Sequence, residues 1–475
     1  MAPNRIIIDT DPGVDDVLAM LLAFSAKPEE LQVLMLSITF GNVDVENCLR
    51  NIVTLFYFIE KERAWRRENG KPEGFETLVA RKPIVAIGAE EPLAEQMMVA
   101  DFFHGIDGLG GIHHSHPHLS PAETWRSLFK PTPESMSAEE AAALQQVKDQ
   151  HSLFVPSLKP AHEEMLQILR ENEPDTITIV AIGPLTNLAI AAAADAEAFL
   201  RVKEVIVMGG AVEVPGNPPN LSRIYSAEVL SISAPRFNLI KQPDTLLRRM
   251  LNLRNQMTPG AEFNMYADSV ASARVFALTS PNPRTTMPPT LSGKGQLPPY
   301  PKILSKQLKL RLFPLDITTP HLLPQSLFTT YTTPLSTSPL ANWSTAFLTT
   351  TYQKVFSLKP SQDPTKLGLE LHDPLTIWYC LTSTQGNPLA SQWKFIAGED
   401  IRVESSGQWT RGCCIVDQRG KGPMKGEGDV EAMVVGDAGG WLDERRGNRV
   451  DRCVGSPGVE RFAGELLERI FGRVG

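Results

Sequence analysis

A doubly wound α/β fold, built as one domain on a mainly parallel sheet, is what this chain predicts. Two observations predict it. Short runs rich in Val and Ile, apolar at consecutive positions, alternate with helical stretches from residue 6 to residue 210. Strands covered on both faces read this way, and the alternation argues a parallel sheet flanked by helices. Secondly, polar residues gather just after the apolar runs, at the strand ends where open α/β sheets place their sites.

The elements follow in order. Strands are expected at Ile6–Ile8, Leu31–Phe40, Pro83–Ile87, Thr176–Ile182 and Glu204–Met208, and helices at Asp15–Ser25, Glu46–Glu60, His162–Asn172 and Thr186–Ala194. The second half is less regular. Asn342–Ser357 and Asp373–Cys380 read as helices, Phe395–Ala397, Ile401–Glu404 and Cys413–Val416 as strands, and Ser456–Arg473 as a closing amphipathic helix. Pro281–Pro301, crowded with Pro, Ser, Thr and Gly, reads as a surface loop, and Arg419–Arg446, rich in Gly and charge, as an excursion.

Bulk properties narrow the function. A net charge of −8 offers nucleic acid or anionic lipid no polycationic face, so neither is an expected partner. The five cysteines (Cys48, Cys380, Cys413, Cys414, Cys453) are odd in number and lack zinc-finger spacing. Reduced thiols in a cytoplasmic protein are expected. The chain shows no secretory apolar stretch and no run of about 18 apolar residues, so no membrane association is expected.

The most informative segment is the loop after the first strand. Asp9, Asp11, Asp15 and Asp16 fall within residues 9–16, interrupted by Pro12 and Gly13. Acids so crowded repel one another unless a cation sits among them, and an all-oxygen set suits a hard divalent ion such as Ca²⁺ or Mg²⁺. Other strands end in Phe40-Gly41-Asn42, Ile182-Gly183-Pro184-Leu185-Thr186-Asn187 and Met208-Gly209-Gly210, the last followed by Pro215-Gly216-Asn217. In a parallel sheet these ends share one rim. Thr258–Asn264 and Leu371-His372-Asp373-Pro374 add a Glu, an Asn, a His and one more Asp. Singly each piece has an ordinary reading: Asn as a turn or cap, His as a satisfied polar residue, His-Asp-Pro as a helix start. Their conjunction points to a site.

That conjunction resembles the inosine–uridine-preferring nucleoside hydrolases. The run from Asp9 to Asp16 matches the family's N-terminal signature, and similar stretches continue through Phe40–Asn42, His104–Gly110, Ile182–Asn187, Met208–Gly210, Thr258–Asn264 and Leu371–Pro374; Asn448–Val450 and Cys453–Pro457 resemble fungal relatives. The resemblance implies hydrolysis of the N-glycosidic bond of a ribonucleoside, with a tightly held Ca²⁺, in a homodimer or homotetramer. It implies metal ligation by Asp11, Asp16, Asp373 and the backbone carbonyl of Ile182. It implies ribose contacts from Asp15, Asn42, Asn217, Glu262 and Asn264, with Asp11 as general base and His372 as proton donor to the leaving base. Such cleavage passes through an oxocarbenium-like transition state, so it needs an activated water, a gripped sugar and a protonated leaving group. The preferred base is not legible; His104, Tyr225 and Trp343 are candidates to approach it, each with a structural reading beside the functional one.

The chain departs from the family pattern in places. About forty residues separate Asn217 from the Thr258–Asn264 run, and 222–256 reads either as a true insertion, in which case Asn220 is an alternative ribose contact to Asn217, or as an unspliced intron carried into the protein. Further insertions are expected near 60–76, 284–309 and 419–446. Two rival readings accompany the main one. A haloacid-dehalogenase-like, Mg²⁺-dependent phosphohydrolase would use Asp9 as nucleophile and Asp11 as acid, but four carboxylates face a phosphate poorly. A ribose- or Ca²⁺-binding protein whose catalysis has lapsed is the other.

Overall fold

The computed structural model describes residues 3–95, 97–120, 123–129, 139, 153–217, 257–288, 297–420 and 436–473. The possible insertion 222–256, with Asn220 and Tyr225, lies outside them.

Among the described residues, nine strands form the central sheet: β1 (Asn4–Thr10), β2 (Leu31–Ile38), β3 (Ile84–Ile87), β4 (Val155–Pro156), β5 (Ile177–Ala181), β6 (Glu204–Met208), β7 (Leu310–Phe313), β10 (Lys394–Glu399) and β13 (Val450–Gly455). Two small ladders join β8 (Leu322–Pro324) to β9 (Gly368–Glu370), and β11 (Arg402–Val403) to β12 (Cys414–Ile415). The order across the sheet is β10-β13-β7-β6-β5-β1-β2-β3-β4. Every pair is parallel except the β10–β13 edge. The chain therefore winds outward from β1 through β2 to β4, then returns to the far side of β1 and winds the other way. The topological switch point falls between β1 and β5, which is where such sheets open a crevice for ligands.

The sequence explains the layering. Along β1, Ile6 and Ile8 join one hydrophobic layer and Ile7 joins the other, as period-two alternation requires. The first layer is filled from the helices Val14–Phe24, Val45–Glu68, Pro339–Leu358, His372–Thr382 and Val459–Phe471, the second from Ala161–Glu171, Thr186–Ala194 and Ser269–Ala277. Helix Val14–Phe24 is buried at all eleven positions, so it sits inside the molecule rather than on it.

Some elements differ from the sequence expectations. The helix expected over 46–60 runs on to Glu68, through the first half of the stretch read as a local excursion. Glu62 is buried there, bonded to Arg66 one turn on and to the Ser338 hydroxyl at 2.6 Å, so the polar residues of this stretch hold two helices together. The strands β4, β7, β8, β9 and β13 were not expected. Trp343 lies at 0% exposure, stacked on Phe58 with ring centroids 5.0 Å apart, so it is core and meets no ligand.

Candidate active site at the sheet switch point

The helices Val14–Phe24 and His372–Thr382 pack together, and each brings acids in its first turn: Asp15 and Asp16 on one, Asp373 on the other. A helix N-terminus favours negative charge, which eases the crowding only in part. Oxygens of Asp15, Asp16 and Asp373 lie within 4.8 Å of one another, and all three residues are buried. Asp11 follows β1 directly. Its Oδ2 accepts the Asn42 backbone N–H at 2.7 Å, while its Oδ1 is buried without a hydrogen-bond partner.

Asn42 braces this loop, since its Nδ2 donates to the Asp11 carbonyl at 3.1 Å and to Asp16 Oδ2 at 2.8 Å. Asp16 also accepts from the Thr10 hydroxyl at 2.6 Å and from Gly13 N–H at 3.0 Å. Two glycines leave room for Asp11: a Cβ on Gly41 would stand 2.0 Å from its Oδ2, and one on Gly183 would stand 2.6 Å from its Oδ1.

Burial, followed by the charge of Asp16, pushes the Asp11 carboxyl well above the usual carboxylate range. Burial and Asp16 likewise raise Asp15 to about 7, and burial with the charges of Asp15, Asp16 and Asp11 raises Asp373 strongly. Buried carboxylates that repel one another, with an orphaned oxygen beside them, are what a hard divalent cation would satisfy. The donor set fits such an ion.

The cluster opens onto a cavity of about 560 Å³, inside the range of roughly 300–1,000 Å³ typical of small-molecule sites. Asp15, Asn42, Ile182, Asn217, Glu262, Asn264, His372 and Asp373 line it, together with His104, Phe102, Phe103 and Lys359; Asp11 and Asp16 lie behind its wall. Glu262 caps the helix Phe263–Ala267, accepting from Asn264 N–H at 2.8 Å, Met265 N–H at 3.1 Å and Gly210 N–H at 2.8 Å. Asn264 Nδ2 donates to the Ile182 carbonyl at 3.0 Å, and Asn217 Oδ1 accepts from Phe263 N–H at 2.7 Å. Residues from β5, β6 and the loop before this helix are thus tied into one wall.

His372 contacts the Thr318 hydroxyl through Nδ1 at 2.8 Å and Glu370 Oε2 through Nε2 at 3.1 Å. Burial alone would lower its pKa, but the Glu370 bond and charge, with Asp15 and Glu262, raise it above the usual value. His104, buried and near His372, is pushed down to about 3 and is neutral; Val14 N–H reaches its Nδ1 at 3.3 Å. Glu370, Thr318 and Lys359 were missed in the sequence. The signal for Glu370 was its place two residues before His372, on the same motif.

Asp9, the nucleophile of the phosphohydrolase reading, points away from this chemistry. It lies at 0% exposure within β1, accepting from the Ser37 hydroxyl and from Asn187 Nδ2 at 2.9 Å, and does not line the cavity. A second cavity of about 440 Å³ lies beside β10 and β13, lined by Glu213, Glu399, Asp443 and Arg452 among others. Its charges are already paired, as in Arg452–Glu399 at 2.7 Å and Arg452–Glu213 at 2.9 Å, and none of the clustered aspartates reaches it.

Fold and site together define a class: an α/β protein with a carboxylate-rimmed crevice at its switch point. Residues 6–442 match the family model for the inosine-uridine preferring nucleoside hydrolases, and the chain belongs to that family. It is 31% identical over 272 residues to a probable uridine nucleosidase 1 of Oryza sativa subsp. japonica, covering 55% of this chain and 66% of the relative. It is 33% identical over 225 residues to uridine nucleosidase 1 of Arabidopsis thaliana, covering 47% of this chain and 50% of that protein. The matches to these plant relatives thus span about half to two thirds of their length. A pyrimidine-specific ribonucleoside hydrolase of Klebsiella pneumoniae is 26% identical over 87% of this chain and 88% of its own. Among solved structures, a plant nucleoside hydrolase superposes with a TM-score of 0.59 at 21% identity, over 99% of this chain and 100% of that one, which supports the fold.

Proposed function

We propose that this chain hydrolyses the N-glycosidic bond of ribonucleosides, releasing the free base and ribose. One observation carries the reading: beside the Asp15–Asp16–Asp373 cluster, Asp11 keeps a buried oxygen without a partner, and His372 lines the cavity onto which that cluster opens. Asp11, Asp16, Asp373 and the Ile182 carbonyl would hold the ion, for which Ca²⁺ fits best because its oxygen coordination is flexible and high in number. Such an ion supplies positive charge that binds a sugar diol and acidifies water.

The protein's own groups do the rest. Asp11 Oδ1 accepts the proton of the attacking water. Asp15, Asn42, Asn217, Glu262 and Asn264 grip the ribose hydroxyls; Glu262 Oε2 already accepts from Gly210 and Met265, so it is Oε1, which accepts from Asn264 N–H, that keeps a lone pair for a hydroxyl. The carboxylates around the sugar favour the positive charge that grows on its ring. His372, held between Thr318 and Glu370, protonates the leaving base. The same reading places the protein in the cytoplasm, in keeping with five free, buried cysteines, and assembles it as a homodimer or homotetramer, which rests on the family resemblance alone. Among the described residues, no helix is long and apolar enough to cross a membrane.

The test is release of ribose from uridine, cytidine, inosine and adenosine, with 2′-deoxyuridine beside uridine. A site built around both hydroxyls leaves buried polar groups unpaired when one is missing, and should reject the deoxynucleoside by a factor on the order of 10⁴. Equal rates on uridine and 2′-deoxyuridine would remove the diol from the account.

A further inference from the structure

Asn51, in the second turn of the helix Val45–Glu68, is fully buried and has no part in the hydrolysis described above. Its Nδ2 donates twice, to the Pro12 carbonyl and to the Asp107 carbonyl, each at 2.8 Å. Pro12 lies within the aspartate loop, and Asp107 follows the cavity-lining His104. One side-chain amide thus ties the two segments together. Gly108 permits the close approach: a Cβ there would stand 2.8 Å from Asn51 Nδ2 and 3.1 Å from the Pro12 carbonyl oxygen.

The neighbours of Asn51 fix which way its amide points. Two carbonyl oxygens on one side demand the nitrogen there, so Oδ1 faces His113 Nε2 at 2.7 Å. His113 Nε2 therefore carries the hydrogen, and its Nδ1 accepts from the Ser120 hydroxyl at 2.6 Å. Burial, followed by the charge of Arg50, pushes His113 down to about 4, so the ring is neutral and this N–H is its one donor. The Asp107 carboxylate sets the position of that ring, because it accepts the backbone N–H groups of Leu109 at 3.0 Å, Gly111 at 2.7 Å and His113 at 2.9 Å.

The Pro12 carbonyl shares its peptide group with Gly13 N–H, and a peptide group is a rigid plane. Asn51, by holding the oxygen, also sets the direction of the N–H, which donates to Asp16 Oδ2 at 3.0 Å. The bonds run from His113 through Asn51 and this peptide to Asp16, each polarising the next. We propose that Asn51 and His113 are positioning residues for Asp16, holding its carboxylate in place for a divalent ion through the Pro12–Gly13 peptide. This rests on the metal site of the hydrolase reading and assigns what keeps that site in shape.

The test is Ca²⁺ binding by titration calorimetry in the wild type, Asn51→Ala, His113→Leu and His113→Gln, with ribose release from uridine measured on the same samples. Groups that orient a metal ligand contribute roughly 10–100-fold in metal affinity, so Asn51→Ala and His113→Leu should each raise the Ca²⁺ Kd by about tenfold or more. His113→Gln, whose amide nitrogen can stand in for Nε2–H, should keep most of the affinity. Residues that only stabilise the fold would lower the midpoint of thermal unfolding and leave the Kd of the folded protein unchanged. Should Asn51→Ala fail to fold, the two His113 variants decide alone. A Kd unmoved in folded Asn51→Ala or in His113→Leu, or raised as far by Gln as by Leu at position 113, overturns the assignment. Wild-type protein that binds Ca²⁺ yet releases no ribose overturns the hydrolase reading alone, and the Kd values still decide the positioning role. Wild-type protein that binds no Ca²⁺ overturns the metal site, and this assignment with it.

Discussion

In the proposed reaction, Asp11 is the residue on which the chemistry turns. Exchanging it for Asn keeps its size and removes its capacity to take a proton. Turnover of Asp11→Asn should fall by about 10²–10⁴, the range a general base contributes, with the far-ultraviolet circular dichroism unchanged. His372 makes a different prediction. A proton donor matters most when the leaving group is poor, so His372→Ala should slow uridine far more than a 4-nitrophenyl riboside, whose phenolate leaves unaided. Equal losses on both would assign His372 to binding. Gly183 is a third case. A methyl placed 2.6 Å from Asp11 Oδ1 must displace either the strand end or the carboxylate. Gly183→Ala should lose activity and about 1–3 kcal/mol of stability by denaturant titration, the usual cost of overpacking.

At the scale of elements, two helix N-termini and one strand end bring carboxylates together, and the fold holds them there at some cost. Asp9 and Asp15 are raised to about 7 by burial, and Asp11 and Asp373 are raised strongly as well. A folded-state pKa above the unfolded value means that the metal-free native protein binds extra protons. That contribution to stability is full below about pH 4 and is lost as pH rises toward about 7. In chelator, the midpoint of thermal unfolding should therefore fall between about pH 5 and about pH 7 on account of these groups. Added Ca²⁺ should raise it, and by more at the higher pH, because protons no longer compete. An increment that does not grow with pH, or its persistence in Asp16→Asn, would separate the cluster from metal binding.

For the whole molecule, the parallel sheet and its switch point follow from strands that the sequence displays openly: Ile6–Ile8, Thr176–Ile182 and Glu204–Met208 are unbroken apolar runs because helices cover both faces. Asp11, Asn42, Asp16 and Asp373 were legible for the same reason, since each follows or opens such an element. What was not legible lacked that local signal. The strand β7 contains Arg311, whose side chain pairs with Glu204 at 2.9 Å, so its polar residue hides a core strand. Strands β8 and β9 are three residues each, too short for periodicity, and β9 ends in Glu370. Lys359 reaches the cavity from a helix end far from every motif. In the proposed function these parts meet: oxygens from distant strand ends would hold a divalent ion that makes the crevice a ribonucleoside hydrolase. The most direct measurement is ribose release from uridine by protein stripped with chelator and then titrated with Ca²⁺. Negligible release is expected from the stripped protein, with full recovery as about one ion binds per chain and no recovery in Asp373→Asn. Undiminished release after the ion has been removed, verified by elemental analysis, would contradict the proposed function.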